Sequence, residues 1–411
     1  MTTELSNFAA RLREAIQGRD AALRRPVGAA RQPYQEPEFD SLALELFALQ
    51  FKHNAAYRKI CEARLPRRSV AKAGDFTPRV VEHWTQIPAV PTAAFKELEL
   101  TCLAPAERTT VFHSSGTTEQ RPSRHFHSPE SLKFYEASLL PWFLENVLPD
   151  LRFTIYDLRL VCLTPPPAQA PHSSLVQMFE TVRRKLGAAE TAFVGKLSGG
   201  SWTLNFDATF AALNSSLVTR HPSLLLGTAF SFVHLLDLLA EKNLRFDLPA
   251  GSRVMETGGY KNRSRSMPKA ELHALITERL GIPSSHIICE YGMSELSSQA
   301  YALGALASRR RVFPGTTKEL AGETPALPVS VTCHFHFPPW ARVQIISPET
   351  GREVAGGETG LIRVFDLANV FSVMAIQTED LGIRRGSGFE LVGRVAQAEP
   401  RGCSLMSIES K

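Results

Sequence analysis

The sequence predicts an α/β fold with a parallel sheet, followed by a smaller antiparallel β region. From about residue 150, short apolar runs alternate with helix-like stretches, which is typical of right-handed βαβ units. After about residue 325, the segment RVQIISPETGREVAGGETGLIRVFDL has two alternating runs around Gly-rich turns, which indicates antiparallel strands. The length of 411 residues exceeds that of most single domains, so two or three subdomains are expected.

The elements follow in order along the chain. The start, MTTELSNFAARLREAIQGRD, predicts an amphipathic polar helix rather than a secretion signal. Residues 41–63 place apolar side chains at helical spacing and predict a second helix. The predicted strands of the parallel sheet are residues 159–163, 224–227, 252–256 and 287–290. The helices predicted between them are residues 174–186, 230–243 and 268–280.

Composition and charge exclude several classes of protein. The net charge is +5, but Lys and Arg are spread over the whole chain, so no nucleic-acid partner is predicted. No apolar run approaches the roughly 20 residues that a membrane span needs. Six cysteines form no CxxC pair and show no metal-ligand spacing, which is typical of reduced thiols in a soluble cytoplasmic protein.

The common nucleotide and hydrolase motifs are also missing from the chain. It lacks GxxxxGK[ST], GxGxxG, HExxH and GxSxG, so an ordinary P-loop NTPase is not expected. Three well-separated polar loops remain. In an open α/β sheet, ligands bind where strand ends and loops meet, and these loops are therefore the candidate site.

The first loop is FHSSGTTEQRPSRHF, residues 112–126. Hydroxyl groups and backbone N–H groups around a glycine form a cradle for anions, and Arg121 and Arg124 add positive charge for a phosphate. A polar surface turn is the alternative interpretation. The residues of the proposed cradle are Ser114, Ser115, Gly116, Thr117 and Thr118.

The second loop, EYGMSE at residues 290–295, directly follows a predicted buried strand. Tyr291 offers a flat face to a nucleobase, Ser294 a hydroxyl to a phosphate, and Glu295 a carboxylate to Mg²⁺. A helix start capped by Ser294 and Glu295 is the alternative.

The third loop is IQTEDLG at residues 376–382, and LVGR follows at residues 391–394. An aspartate in a turn, here Asp380, suits hydrogen bonds to ribose hydroxyls, and Arg394 lies close enough in sequence to reach ribose or phosphate. A hairpin with a salt bridge is the alternative.

The order and spacing of the three loops resemble the adenylate-forming superfamily, in which such loops surround ATP. The TGG at residues 257–259 resembles the adenine-side loop of that superfamily. Four further segments, VPTAAFKELEL, METGGYK, PPWARVQI and RGCSL, resemble the acyl-protein synthetase family. That family includes the synthetase subunit of the bacterial bioluminescence fatty-acid reductase.

The resemblance implies a fold and a division of the chain. The fold is the large N-terminal domain of an adenylate-forming enzyme without the usual mobile C-terminal domain, because only 17 residues follow Arg394. The expected regions are a helical region at 1–90 that packs on the core, an α/β ATP- and acyl-binding core at 91–325, a β-rich subdomain at 326–395 and a tail at 396–411 that carries Cys403.

The resemblance also implies roles for individual residues. Cys403 would accept the acyl group, and Arg401 beside it would favour the thiolate; an inert cysteine is the alternative. The resemblance assigns Ser294 and Glu295 to catalysis and Glu295 to the metal. The residues expected to bind ATP are Ser114, Ser115, Gly116, Thr117, Thr118, Arg124, Gly258, Gly259, Tyr291, Gly292, Asp380 and Arg394.

The phosphate loop departs from the superfamily, which continues Gly-x-Pro-Lys where this chain has Glu119 and Pro122. The group that replaces the lysine stays open, with Lys261 and Arg124 as candidates.

The function implied is activation of a carboxylic acid, expected to be a fatty acid, as acyl-AMP with ATP and Mg²⁺. The acyl group would then pass to a protein thiol and on to an acyl reductase or acyltransferase partner. One alternative is an acyl-CoA, carrier-protein or amide ligase of the same superfamily that uses an external acceptor. A non-catalytic nucleotide-binding homologue is the second.

Overall fold

A computed structural model describes residues 3–21, 36–64, 81–114, 121–149, 158–188, 190–198, 201–258, 267–303 and 333–395. Its helices are α1 (Thr3–Ala21), α2 (Glu36–His53), α3 (Ala55–Arg64), α4 (Ala94–Glu97), α5 (Pro129–Val147), α6 (Ser174–Leu186), α7 (Phe206–Thr219), α8 (Ala229–Glu241) and α9 (Lys269–Leu280). None of these helices is long and apolar enough to span a membrane.

The strands are short and fall into two large sheets and two hairpins. They are β1 (Val90–Pro91), β2 (Thr110–His113), β3 (Arg124–His127), β4 (Arg159–Cys162), β5 (Glu190–Phe193), β6 (Gly195–Ser198), β7 (Ser201–Leu204), β8 (Ser223–Thr228), β9 (Arg253–Thr257), β10 (Ile287–Tyr291), β11 (Ala300–Leu303), β12 (His334–Phe335), β13 (Ala341–Ile346), β14 (Thr359–Asp366), β15 (Ala375–Arg385) and β16 (Gly388–Arg394).

The predicted parallel sheet is present, in the order β11-β10-β9-β8-β4-β5. The strands β10, β9, β8, β4 and β5 run parallel, and β11 is antiparallel to β10. Helices cover both faces of this sheet. Leu225 and Val254 pack in a cluster with α8 and α9, whereas Leu224 and Leu226 pack in a cluster with α5 and α6. The strands are apolar along their length because both of their faces are buried.

The predicted antiparallel region is present as the sheet β12-β16-β15-β14-β13. The short strand β1 adds to this sheet by pairing in parallel with β15. The two strands that carry the third sequence motif, β15 and β16, are therefore direct neighbours, and Asp380 and Arg394 are partners across them.

The N-terminal part of the chain contacts this antiparallel sheet through α2 and Trp84, whereas α1 contacts α2 and α5. Trp84 contacts Phe365 edge to face, with ring centroids 4.8 Å apart, and residues of α1 and α2 share one apolar cluster with β13, β14 and β15. The helical pattern predicted over residues 41–63 is present as two helices, because α2 ends at His53 and α3 begins at Ala55. Asn54 separates them, and its side-chain oxygen accepts a hydrogen bond from the N–H of Tyr57 at 3.0 Å, as an N-cap does.

Candidate active site

A cavity of about 470 Å³ lies where the carboxyl ends of β9 and β10 face β15 and β16. Residues of all three predicted loops line it, although they are distant in sequence. The cavity is thus at the edge of the parallel sheet where ligands of open α/β folds bind. The predicted site residues that line it are Ser114, Gly258, Tyr291, Gly292, Ser294, Glu295, Asp380 and Arg394.

Tyr291 ends β10 and forms one wall of the cavity. Its hydroxyl donates a hydrogen bond to Asp380 Oδ2 at 2.9 Å, and its ring lies edge-on to Phe389 at 5.3 Å between centroids. Burial raises the pKa of Tyr291 well above its ordinary value. The side chain is therefore a neutral donor held in one orientation by its aromatic neighbour and by the carboxylate.

Asp380 and Arg394 face each other across β15 and β16. Arg394 Nε lies 3.5 Å from Asp380 Oδ1, and Arg394 Nη2 donates to Glu379 Oε2 at 3.0 Å. The expected turn around Asp380 is wrong, because Asp380 lies inside β15 beside a register shift between Leu381 and Gly382. Strands β15 and β16 do form the hairpin with a salt bridge that was the alternative interpretation. Both residues of this salt bridge line the cavity, so the two interpretations are compatible.

Ser294 and Glu295 lie in the loop between β10 and β11. The helix start considered as an alternative is wrong, because the chain passes from this loop into strand β11 without a helix. Ser294 Oγ donates to Glu295 Oε2 at 3.1 Å, and Glu295 is buried. A carboxylate and a hydroxyl at a cavity wall are hard oxygen donors of the kind that Mg²⁺ prefers, so these residues fit the implied metal.

The loop at residues 292–299 is anchored on both sides. On one side, His125 of β3 donates from Nδ1 to the carbonyl oxygen of Ser294 at 2.7 Å, and burial lowers the pKa of His125, which keeps it neutral. On the other side, Asp366 at the end of β14 accepts hydrogen bonds from the N–H groups of Ser297 at 3.0 Å and Ser298 at 2.8 Å. Both anchors fix the position of Glu295 against the cavity.

Part of the first loop lies within the described residues. Ser114 Oγ accepts a hydrogen bond from the N–H of Ser123 at 3.0 Å, which joins the two ends of the loop. Arg124 Nη1 lies 3.5 Å from Glu99 Oε1, and Arg124 does not belong to the cavity lining; its role in ATP binding stays a prediction. The predicted residues that lie outside the described part of the chain are Ser115, Gly116, Thr117, Thr118, Gly259, Lys261 and Cys403.

Among the cavity residues that had no role assigned from the sequence are Glu290 and Lys269. Glu290 is buried and accepts a hydrogen bond from the hydroxyl of Thr257, its partner on β9; burial raises the pKa of Glu290 to about 7. Lys269, at the start of α9, lines the cavity and forms an ion pair with Glu256. Glu290 lies inside the quoted EYGMSE motif, but Lys269 carries no sequence signal because its place depends on how α9 packs.

Comparison with known proteins supports the family and the fold that the sequence predicts. The family model described as "Acyl-protein synthetase, LuxE" matches residues 24–410. A long-chain-fatty-acid–luciferin-component ligase of Vibrio harveyi is 23% identical over 374 residues, which cover 87% of this chain and 84% of that protein. Its counterpart from Aliivibrio fischeri is 22% identical over 396 residues, which cover 89% and 86%.

Solved structures show the same fold. An open conformation of 2-hydroxyisobutyryl-CoA ligase, in complex with 2-HIB-AMP and CoA, matches with a TM-score of 0.59 at 13% identity and covers 91% of this chain and 74% of that chain. The same enzyme in the thioesterification state gives a TM-score of 0.59 at 14% identity, with coverage of 89% and 70%. The expected fold of adenylate-forming enzymes is thereby confirmed.

Proposed function

This chain belongs to the acyl-protein synthetase family, and from that membership we propose that it uses ATP to load a long-chain acyl group onto its own Cys403. The chain is a ligase that forms acyl-AMP and transfers the acyl group to protein. The proposal adds the acid class, the residues that hold ATP and Mg²⁺, and the thiol.

The observation that carries the proposal is the convergence of the three loops on one cavity. Asp380 presents a carboxylate oxygen for ribose hydroxyls, and Arg394 lies opposite it with Nε 3.5 Å from Asp380 Oδ1. The buried ring of Tyr291 offers a face to adenine, beside the backbone of Gly258 and Gly292. We therefore assign the nucleoside end of ATP to the side of the cavity formed by β10, β15 and β16, and this arrangement supports the assignment.

The phosphates would extend towards Ser114 and Ser294 at the other side. We assign Ser115, Gly116, Thr117 and Thr118 of the same loop to the phosphates, and Gly259 to the adenine side. Glu295, supported by the hydroxyl of Ser294, would hold Mg²⁺. The ion, when bound, neutralises phosphate charge, which is the main requirement in phosphoryl chemistry of this kind.

In the first half-reaction, a carboxylate oxygen of the substrate attacks the α-phosphorus of ATP, and pyrophosphate leaves. The chain's own contribution is to position the two reactants and to stabilise charge. In the second half-reaction, the Cys403 thiolate attacks the carbonyl carbon of acyl-AMP, and AMP leaves with the bonding electron pair. A thiolate suits this step because it is a strong nucleophile towards activated acyl groups.

The acid class follows from the relatives. Both curated proteins named above are ligases of long-chain fatty acids, so we propose a long-chain fatty acid here. A thioester on the protein is an activated acyl group, and its natural consumer is an acyl reductase or an acyltransferase.

Mass spectrometry of the intact protein tests the acceptor. After incubation with ATP, Mg²⁺ and a long-chain fatty acid, we expect a mass increase equal to one acyl group that hydroxylamine removes. The increase should be absent in Cys403→Ala and present in Cys102→Ala, which removes a thiol packed near Ser372. An acyl adduct that persists in Cys403→Ala would overturn the assignment of the thiol.

Acid-dependent exchange of pyrophosphate into ATP tests activation separately from transfer. We expect exchange to be strongest with long-chain acids and to survive in Cys403→Ala. Exchange that is equally fast with short-chain or aromatic acids would contradict the proposed acid class, and no exchange with any acid would contradict ATP-dependent activation.

A further inference from the structure

A buried group of metal-ligating side chains lies behind the cavity, on the face of the parallel sheet that α9 covers. Glu256 of β9 and Cys289 of β10 are partners across the two parallel strands. His273 of α9 lies against them, and the three residues are 0%, 0% and 2% exposed. One carboxylate oxygen, one sulphur and one imidazole nitrogen all lie within 4.8 Å of one another.

The separations match those of a tetrahedral metal site. His273 Nε2 lies 3.4 Å from Glu256 Oε1 and 3.8 Å from Cys289 Sγ. Zinc bonds to nitrogen, oxygen and sulphur are about 2.0–2.3 Å long, so neighbouring ligand atoms of a tetrahedron lie about 3.3–3.8 Å apart. A fourth donor is at hand, because Cys333 Sγ lies 3.5 Å from Cys289 Sγ.

We propose that Glu256, His273, Cys289 and Cys333 bind one divalent transition-metal ion of the zinc class. The side chain of Cys333, which is only partly buried, completes the set by rotating towards the other three. Two thiolates and an imidazole select such an ion over Mg²⁺ or Ca²⁺, which prefer oxygen ligands. The site differs in this respect from the oxygen donors Ser294 and Glu295 at the phosphate side of the cavity.

The charges around the cluster balance when an ion is bound. Two thiolates and one carboxylate carry three negative charges, so the site with a bound divalent ion has a net charge of −1. Lys269 supplies the remaining positive charge, because its ammonium group donates a hydrogen bond to Glu256. Carboxylates that ligate metals are commonly hydrogen-bonded in this way by an outer residue.

Atoms of the cluster are also incompletely satisfied. Glu256 Oε2 and His273 Nδ1 are buried without a hydrogen-bond partner among the described residues. A buried carboxylate oxygen without a partner is costly, and a cation bound by the carboxylate relieves that cost.

The ion would brace the segments that form the nucleotide cavity. Glu256 precedes Thr257, Cys289 precedes Glu290, and Cys333 lies two residues before Phe335; each of these three neighbours lines the cavity. A four-ligand site has no open coordination position, which is typical of structural rather than catalytic zinc. The ion therefore holds the ends of β9 and β10 against β12.

Titration with Co²⁺ tests the proposal on the full chain. The protein is stripped with a chelator under reducing conditions and titrated with Co²⁺, whose thiolate complexes absorb through a sulphur-to-metal charge transfer. We expect one Co²⁺ per chain with this band, and displacement of Co²⁺ by an equivalent of Zn²⁺. Cys289→Ser and Cys333→Ser should each weaken Co²⁺ binding by at least about 100-fold, and Cys102→Ser should leave it unchanged.

The unmodified chain already decides the question if a variant fails to fold. Absence of stoichiometric Co²⁺ binding with the charge-transfer band in the reduced wild type overturns the proposal, and so does a band that survives in Cys289→Ser. If the reduced chain binds no Co²⁺ and Cys289 and Cys333 form a disulfide on exposure to air, the proposal is also overturned. Metal content of the protein as purified, measured before chelation, should be close to one zinc-class ion per chain.

Discussion

Tyr291 and Asp380 illustrate how a site residue depends on its neighbours. The tyrosine hydroxyl donates to Asp380 Oδ2 at 2.9 Å, so the carboxylate keeps its second oxygen for Arg394 and for a ligand. If Asp380 binds ribose, Asp380→Ala removes the ribose contact, while Tyr291→Phe removes only the support of that contact.

We therefore expect Asp380→Ala to raise the KM for ATP in pyrophosphate exchange by about 10–100-fold, and Tyr291→Phe to raise it by about 3–10-fold. Glu390→Gln is the matched control, because Glu390 pairs with Arg385 in the same hairpin and is not in the cavity lining. A fall in kcat with an unchanged KM for ATP in Asp380→Ala would contradict the ribose assignment.

Glu290 gives a prediction about pH. Burial raises the pKa of Glu290 from 4.5 to about 7 in the folded chain, so between these values the folded state binds the proton that the unfolded state has lost. Folding stability from this group is present below about pH 4.5 and is lost as the pH rises to about 7. Relative to Glu290→Gln, which is always neutral, the wild type should lose at most about 3 kcal/mol of unfolding free energy across this window.

Urea denaturation of both proteins at several pH values between 5 and 8 measures the difference. Burial also raises the pKa of Asp366, to about 6. Because both proteins contain Asp366, its contribution cancels when the stability-against-pH curve of one protein is subtracted from that of the other. Parallel pH profiles for the two proteins would show that Glu290 is not shifted.

The residues that sequence reasoning identified are those whose chemistry is visible in a short motif. Tyr291 ends one strand and Ser294 and Glu295 follow it, and Asp380 and Arg394 belong to one hairpin. Their clustering therefore needs only local structure and one contact between sheets. Lys269 and the metal-ligating cluster were missed for a physical reason. Glu256, His273 and Cys289 come from two strands and a helix, and their spacing along the chain carries no sign of the register that joins them.

At the scale of elements, local signals set some boundaries and tertiary contacts set others. Helix α6 occupies the predicted residues 174–186, because Ser173 caps its start and Gly187, in the left-handed region at φ 59°, ends it. The predicted helix over residues 41–63 instead divides at Asn54, whose side-chain amide donates to the carbonyl oxygen of Ser372 at 3.3 Å. That contact spans more than 300 residues, so no local pattern could predict it.

The loop after β10 is the element on which the site depends most, and Asp366 anchors it. Its carboxylate accepts hydrogen bonds from the N–H groups of Ser297 and Ser298 and from the Ser298 hydroxyl at 2.7 Å. Asp366→Asn replaces an acceptor by a donor that faces backbone donors. We expect it to lower the unfolding free energy by about 2–4 kcal/mol and to raise the KM for ATP, since Glu295 is in the same loop.

Urea denaturation and pyrophosphate exchange measure the two effects. Asp247→Asn is the control, because the side chain of Asp247 is 76% exposed and its loss should cost little. An Asp366→Asn protein as stable as the wild type would show that the loop is held by other contacts.

At the scale of the whole molecule, the layered α/β core was predictable from the repeated strand and helix pattern, and the antiparallel sheet from its alternation and Gly-rich turns. The partner of the N-terminal helices was not predictable. Their apolar faces indicate burial but not against which surface. In the structure, α2 meets the antiparallel sheet, where Arg342 of β13 lies over the Phe39 ring at 4.3 Å, and α1 contacts α2 and α5. Helix α2 thereby contacts the sheet that carries Asp380 and Arg394.

Gln50 of α2 is the polar link in that contact and gives a prediction for the whole fold. Its side-chain amide donates to the carbonyl oxygen of Asn369 at 2.7 Å, and its oxygen accepts from the N–H of Met374 at 3.0 Å. Gln50→Leu leaves the buried N–H of Met374 without this partner and removes a donor to the carbonyl oxygen of Asn369, which keeps the N–H of Ser372 at 3.2 Å. We therefore expect a loss of about 1–3 kcal/mol in unfolding free energy, with Gln17→Leu on the exposed face of α1 as the control. Because the helices and the sheet share one apolar cluster, the loss should appear as a shift of the single main transition when urea denaturation is followed by both tryptophan fluorescence and circular dichroism. A separate early transition, with the remainder unfolding as in the wild type, would show instead that the N-terminal helices fold independently of the sheet.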